Sequence, residues 1–188
     1  MAGLQYGGVP VPFTAAWTGE GRFHLAACQD AGGRLAVCQA SDPGKGKPEF
    51  AKPHMNRQRT AVVRGLCDLC GRPLKGRTKV SLSHARPAPN GAEGLAILQV
   101  EPLLHKACAA TCLRHCPSLK RDVKAGTLMI RQALRYRVQL AVLNEAGLGL
   151  LGLPPSEIAP VGHAKIELLN WAVRSADWLE QMKEAAHG

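Results

Sequence analysis

The fold of this chain is decided by two short stretches, Cys67-Asp-Leu-Cys70 and His105-Lys-Ala-Cys108. Each stretch places two residues of metal-binding type with two residues between them, and His105 follows Cys70 by thirty-five positions. Thiolate sulfur and imidazole nitrogen are ligands that zinc prefers, and four of them close its tetrahedral coordination sphere. We therefore expect a structural Zn²⁺ ion held by Cys67, Cys70, His105 and Cys108.

The residues around the two pairs predict how each pair is held. Gly71 and Pro73 follow the first pair, which predicts a tight knuckle turn. The second pair opens a predicted helix, Lys106–His115, which ends before Pro117. A ligand pair on a turn followed by a ligand pair at a helix start is typical of the treble-clef zinc fold. The sequence therefore predicts a zinc-stabilised ββα unit.

The remaining cysteines leave an alternative for the fourth ligand. Cys112 lies one helical turn after Cys108 and could replace His105. Cys112 and Cys116 also fit as small core residues. The chain has seven cysteines, an odd number, and several have metal-like spacing, which favours a reducing cytoplasm over a disulfide framework. We expect a cytoplasmic protein with no signal peptide and no membrane span, because no apolar stretch of about 18 residues occurs.

Positive charge is concentrated on both sides of the predicted zinc site. The formal net charge is +10; residues 42–86 hold eleven Lys and Arg against three acids, and residues 105–137 hold eight against one. Residues 144–188 hold three against six. Basic charge beside a zinc module favours a polyanionic partner, most simply nucleic acid. A solvated basic surface is the alternative.

The candidate nucleic-acid contacts fall in a basic run at residues 56–65 and on the knuckle hairpin, whose basic residues lie within 72–79. Arginine binds phosphate bidentately, and an aromatic content of only 4% favours contact with the backbone over base stacking. The alternative is a basic segment that packs against the zinc module. The candidates are Arg57, Arg59, Arg64, Arg72, Lys75, Arg77 and Lys79.

The rest of the pattern predicts an α+β protein in three parts. Residues 1–53 form a β-rich region and linker, residues 54–125 form the zinc treble-clef module, and residues 126–188 add a strand and a C-terminal helix. The expected elements are hairpin strands at 23–28 and 35–39, a loop at 41–53, a short helix or strand at 56–65, strands at 78–83, 95–100 and 136–142, a loop at 147–155, and a helix at 162–186.

The C-terminal segment motivates a protein-binding hypothesis. Ile166, Leu169 and Val173 fall at helical spacing, which predicts an amphipathic helix. Trp171 and Trp178 widen its apolar face in an acidic setting that differs from the basic centre of the chain. This face would dock on the body of the protein or on a protein partner, such as a host protein targeted by a phage or bacterial factor.

The segment between the ligand pairs resembles the HNH nuclease family. After the knuckle come a strand ending in Ser83-His84, a loop with Pro87 and Gly91, and a lead-in to the second pair. The resemblance covers roughly residues 60–116. It implies a ββα-metal fold in which His84 would activate water against a phosphodiester beside a divalent ion. Ser83 replaces the family's acidic residue, and Ala109 replaces the histidine after the last cysteine.

Two sequence matches also look like uncharacterised zinc-containing proteins of bacteria and their phages. These matches are Cys67-Asp-Leu-Cys-Gly71 and Leu104-His-Lys-Ala-Cys108. They imply a bacterial or phage origin and no activity. The function expected from the sequence is a non-catalytic, zinc-stabilised basic protein that contacts nucleic acid or a nucleic-acid-processing complex. The alternatives are a metal-dependent nuclease using His84 and a protein-interaction factor.

Overall fold

A computed structural model of the chain describes residues 4–91 and 94–181, and these residues form a mixed α+β fold, as the sequence predicts. The strands are β1 (Gln5–Tyr6), β2 (Val9–Pro10), β3 (Ala15–Trp17), β4 (Phe23–Ala27), β5 (Leu35–Gln39), β6 (Pro48–Pro53), β7 (Lys79–Ser83), β8 (Ala88–Pro89), β9 (Leu95–Gln99), β10 (Leu104–His105), β11 (Met129–Val142) and β12 (Val161–Arg174). The helices are α1 (Met55–Arg64), α2 (Lys106–His115), α3 (Pro117–Lys124), α4 (Glu145–Leu150) and α5 (Ala176–Glu180).

An eight-stranded sheet is organised around the long antiparallel pair β11–β12. Beyond β11 the sheet continues through β7 to β10. Beyond β12 it continues through β5 to β4, and β9 with β8 joins the same edge of β12. Strands from all three predicted parts of the chain therefore share one sheet.

Several local predictions are confirmed. The strands β4 and β5 form the predicted hairpin, β7 and β9 occupy the two predicted strand segments, and α2 has the predicted bounds. The run at 56–65 is a helix, α1, which begins after the N-cap His54 and ends at Gly65, where φ is 64°. These elements follow signals carried by their own residues, namely turn glycines, caps and alternation.

The predicted C-terminal helix is wrong over most of its length. Residues 161–174 form β12, and the described helix that follows is only α5; residues 182–186 of the prediction lie outside the described residues. Ile166 and Leu168 are buried at 2% and 0% exposure, and residues two apart share one face of a strand but not of a helix. Pairing with β11 along most of the strand outweighs the local helical pattern.

Two predicted loops also contain regular structure. Within 41–53 the chain forms β6, which pairs with β3. Within 147–155 the end of α4 is present, because the Asn144 side chain caps the helix by accepting a hydrogen bond from the Gly147 amide and Leu148 is buried at 1% exposure. Both elements depend on contacts with distant residues or on a cap outside the predicted loop.

The two strands between the ligand pairs do not pair with each other. Strand β7 pairs with β10 and β11, whereas β9 pairs with β8 and β12, so β11 and β12 lie between them. The hairpin expected of a ββα unit is therefore not formed by these strands. In residues 4–91 and 94–181, no helix is both long enough and apolar enough to cross a membrane.

Candidate metal centre

Four predicted ligands converge on one point. The metal-binding atoms of Cys67, Cys70, His105 and Cys108 all lie within 4.8 Å of one another. The Nδ1 atom of His105 is 3.4 Å from the Cys70 sulfur and 3.8 Å from the Cys108 sulfur. In a tetrahedral zinc site a sulfur and a nitrogen ligand are about 3.5 Å apart. The spacing of the side chains therefore suits a metal ion of this kind.

The knuckle that carries the first pair is fixed by its backbone. The Cys67 amide donates to the Arg72 carbonyl at 2.8 Å, and the Gly71 amide donates to the Cys67 carbonyl at 2.8 Å. Gly71 has a φ of 67°, and a Cβ atom there would lie 2.9 Å from the Phe13 ring. Glycine is therefore required at this position both by conformation and by space.

His105 is oriented by a second hydrogen bond. It lies at the end of β10, paired with Lys79 of β7, and is the N-cap residue of α2. Its Nε2 atom is 3.0 Å from the Pro73 carbonyl. A proton on Nε2 donates to that carbonyl and leaves the Nδ1 lone pair directed at the thiols, as in the outer coordination shell of many metal-bound histidines. The knuckle thus positions ligands from both pairs.

The electrostatics of the cluster favour a bound cation. A hydrogen bond from the Cys108 thiol, helped by the backbone amides of Leu69, Cys70 and His105, lowers the pKa of Cys67 to about 5 against the effect of burial. The same hydrogen bond to the Cys67 thiolate, together with burial, raises the pKa of Cys108. Burial raises the pKa of Cys70. One thiolate is therefore stable alone, whereas three close together need a cation to offset their repulsion.

The alternative in which Cys112 replaces His105 is not supported. Cys112 is not part of the converging group, and it lines an apolar cavity together with Cys116. Among the described residues, His105 is the fourth member of the cluster.

Two of the predicted nucleic-acid contacts are buried instead. Arg57 is 6% exposed and forms a bidentate ion pair with Glu20, at 2.5 and 3.0 Å, while its other donor contacts reach Phe13, Ala15 and Ser41. These partners already occupy its guanidinium group, so Arg57 joins α1 to the N-terminal region inside the protein. It is not placed to meet a phosphate.

Arg59 is likewise an internal residue, with 0% exposure. Its guanidinium donates to the Gly162 carbonyl at 2.7 Å and to the Val37 carbonyl at 2.9 Å, which joins α1 to β12 and β5. Arg64 is at the surface and pairs with Asp30 at 2.7 Å. The expectation that Arg57 and Arg59 contact nucleic acid is therefore corrected by their burial, since a phosphate group cannot reach them.

The knuckle cations lie at the surface beside the metal cluster. Arg72, Lys75 and Arg77 are exposed, and Lys79 is half-buried. A cleft of about 750 Å³ is lined by Cys70, His105 and Cys108 together with cationic residues. The cationic residues that line this cleft are Arg72, Arg77 and Lys106.

The sequence reasoning missed Lys106. The sequence feature that could have identified Lys106 is its position inside the second ligand pair. That position makes it the first residue of α2, beside the metal-binding side chains. Its Nζ atom donates to the Gln181 carbonyl at 2.6 Å and lies 4.5 Å from the centre of the Trp178 ring. These contacts hold the ammonium group at the cleft.

His84 lies apart from the metal cluster. It follows the end of β7 opposite to Lys79, which pairs with His105, so about 16 Å of strand separates it from the cluster. Its side chain is 55% exposed, and its Nε2 atom is 3.5 Å from Asp122 of α3. Within the described parts of the chain, one group of three or more metal-binding side chains is found, and His84 does not belong to it.

Comparison of the chain with protein-family models, with curated proteins and with solved structures finds no match.

Proposed function

We propose that this protein is a non-catalytic, zinc-stabilised binding protein that contacts the phosphate backbone of nucleic acid, alone or within a nucleic-acid-processing complex. The observation that carries the proposal is the basic cleft beside the four-residue metal cluster. This cleft is lined by Arg72, Arg77 and Lys106. A surface of this sign beside a rigid metal knuckle suits a polyanion, because each neutralised phosphate releases condensed counterions.

The proposed role of zinc is structural. Three thiolates and one imidazole would complete a four-coordinate shell and leave no open position for a substrate. The ion would tie the knuckle to the start of α2, in the manner of the knuckle and helix of a treble clef. It would thereby fix the wall of the basic cleft, since Arg72 belongs to the knuckle and Lys106 to the helix.

The cleft suits phosphate better than a base edge. Arg72 and Arg77 offer planar guanidinium groups that can bind phosphate oxygens in pairs, and the neighbouring Lys75 and Lys79 extend the charge along the same hairpin. No tyrosine, phenylalanine or tryptophan is among the described residues that line the cleft, and the nearby Trp178 ring has Lys106 and Arg174 over it, so base stacking has little to support it. We therefore expect binding with weak sequence preference.

The test is the salt dependence of binding to short duplex DNA and to RNA. The triple variant Arg72→Ala, Lys75→Ala, Arg77→Ala should weaken binding. It should also reduce the slope of log affinity against log salt by about 2 to 3 in magnitude, because each lost phosphate contact contributes about 0.9 to that slope. The control is Lys45→Ala, Lys47→Ala, Lys52→Ala, which removes the same charge from exposed positions of the N-terminal region. Equal effects of the two triple variants would refute the assignment to the cleft.

The metal-dependent nuclease remains a second hypothesis, and it rests on the pairing of His84 with Asp122. A carboxylate beside a histidine can orient its ring. Incubation of the zinc-loaded protein with plasmid and Mg²⁺ or Mn²⁺ tests it, with His84→Ala beside it. Cleavage that disappears in the variant would favour the nuclease, and equal or absent cleavage in both would exclude it.

The protein-interaction hypothesis now needs a different test. The segment that was expected to dock as a helix is β12, which pairs with β11 in the centre of the sheet. Deletion of residues 162–188 would therefore remove a core strand rather than a docking face. Exchange of Trp178 for Ala in the full chain, followed by capture of partners, is the sharper experiment, because Trp178 is only half-buried and lies on the short helix α5.

A further inference from the structure

A small pocket lies where the ends of β7 and β9 face each other. In the sheet these strands are separated by β11 and β12, yet the Ser81 hydroxyl donates to the side-chain oxygen of Gln99 at 2.6 Å, so the sheet curves enough to bring them together. The pocket has a volume of about 230 Å³, and within the described residues it shares no lining residue with the basic cleft. Since an apolar cavity of about 150 Å³ can hold benzene, this pocket suits a molecule somewhat larger than benzene.

Part of the pocket wall is polar, and hydrogen bonds hold it in place. Ser83 and Gln99 both line the pocket and are 1% and 3% exposed. The Gln99 side-chain amide donates to the Glu101 carbonyl at 2.6 Å. The Ser83 hydroxyl accepts from the Ala85 amide at 3.0 Å and lies 3.5 Å from the Glu101 carboxylate. The ends of the two strands are therefore fixed relative to each other around the pocket.

Two side chains of opposite charge line this pocket. Glu101 belongs to the segment after β9, and Lys165 belongs to β12. Among the described residues neither side chain forms an ion pair. Glu167, two residues along β12 from Lys165, pairs with Arg137 instead. The pocket thus offers one negative and one positive group to a ligand.

A buried arginine next to the pocket adds positive charge. Arg131 lies on β11 opposite Ser81 and is 2% exposed. Its Nη2 atom donates at 2.9 Å to the carbonyl of Ala85, which lines the pocket, whereas its Nη1 atom has no hydrogen-bond partner among the described residues. A buried cation without a counter-charge costs free energy. A carboxylate bound in the pocket would lower that cost, because charges interact strongly where water is excluded.

We propose that this pocket binds a free α-amino acid with a small apolar side chain. The ammonium group of the amino acid would pair with Glu101, and its carboxylate would pair with Lys165 in the field of Arg131. The apolar side chain would contact Leu98 and Val100, which line the pocket and are 44% and 41% exposed. A simple amine would leave the two cations without a counter-charge, and a simple carboxylate would face Glu101. This proposal does not rest on nucleic-acid binding or on the role of the basic cleft.

The experiment is a calorimetric titration of the full, zinc-loaded chain at neutral pH with three probes that share one apolar body. L-leucine carries both charges, 3-methylbutylamine is leucine without its carboxylate, and 4-methylpentanoate is leucine without its ammonium group. We expect L-leucine to bind at least about tenfold more tightly than either of the others, which is the effect of one charge-assisted hydrogen bond. Equal binding of the three probes, or no binding of any of them, would overturn the proposal.

Two variants assign the charged ends of the ligand to the pocket. Lys165→Met should weaken binding of L-leucine and of 4-methylpentanoate and leave that of 3-methylbutylamine nearly unchanged. Glu101→Gln should weaken binding of L-leucine and of 3-methylbutylamine and leave 4-methylpentanoate no weaker. The control is Lys120→Met, the same exchange at an exposed position of α3 that does not line the pocket, and it should change none of the three affinities.

The same variants separate this pocket from the apolar cavity at Cys112. Glu101 lines both, whereas Lys165 lines only the pocket. Weaker L-leucine binding in Glu101→Gln, together with unchanged binding in Lys165→Met, would place the probe in the apolar cavity and overturn the proposal.

Arg131→Met tests whether the buried arginine serves binding or the fold. Removal of a buried and partly unpaired charge should leave the melting temperature unchanged or raise it, while the affinity for L-leucine falls at least about threefold. A lower melting temperature with unchanged L-leucine affinity would show that Arg131 serves the fold and would contradict its part in the proposal.

Discussion

The sharpest test of the metal centre compares two serine substitutions one helical turn apart on α2. Cys108 belongs to the converging ligand group, whereas Cys112 lines the apolar cavity. Cys108→Ser and Cys112→Ser exchange the same atom for the same atom on the same helix. We expect the first variant to lose the bound metal and the second to retain it, because only the first removes a ligand.

The magnitude follows from the linkage between binding and folding. At free zinc about a thousandfold above the dissociation constant, the ion stabilises the folded chain by about 4 kcal/mol. For a chain of this size that corresponds to a fall of about 8 to 16 °C in melting temperature when binding is lost. The Cys112→Ser variant places a hydroxyl in a half-buried site, and we expect a cost of about 1 kcal/mol.

The assay is metal content after dialysis against a weak chelator, together with thermal melting in buffers with and without zinc. The melting temperature of the original chain and of Cys112→Ser should depend on zinc, and that of Cys108→Ser should not. Stoichiometric zinc in Cys108→Ser, or loss of zinc in Cys112→Ser, would refute the ligand set of Cys67, Cys70, His105 and Cys108.

Three further predictions test other parts of the structure. Gly71→Ala should lower the free energy of unfolding by about 1 to 3 kcal/mol, because φ is positive there and a Cβ atom meets an aromatic ring; urea denaturation measures it, and an unchanged midpoint would contradict the knuckle geometry. Glu20→Gln should cost about 3 to 5 kcal/mol at neutral pH by breaking the buried pair with Arg57. Burial would raise the pKa of Glu20, but hydrogen bonds led by that from Arg57 hold the pKa below 4.5. The advantage of Glu20 should therefore be complete above its ordinary pKa and fade as pH falls through the lowered value, and a difference already lost above pH 4.5 would oppose this. Leu168→Ala should cost about 2 to 5 kcal/mol in urea and Leu169→Ala clearly less, and the reverse order would argue against strand β12.

The sequence alone determined the elements whose causes are local. The ligand set follows from two spaced pairs, and helix α2 follows from its start at the second pair and its end before Pro117. The knuckle follows from Gly71, whose positive φ is available at little cost to glycine. Within each ligand pair, in the knuckle and at the ends of α2, the deciding residues are close in sequence, so their pattern can be recognised without the fold.

Only the tertiary structure decided the features that depend on residues far apart in sequence. The segment at 161–174 carries apolar residues that suit either a helix or a strand, and pairing with β11 makes it a strand. Arg57 and Arg59 look like surface cations in sequence, yet inside the protein Arg57 pairs with Glu20 and Arg59 donates to the Gly162 and Val37 carbonyls. The presence of an arginine in the sequence does not show whether the folded protein supplies a buried carboxylate or carbonyl as its partner. Burial and strand pairing are set by the whole fold.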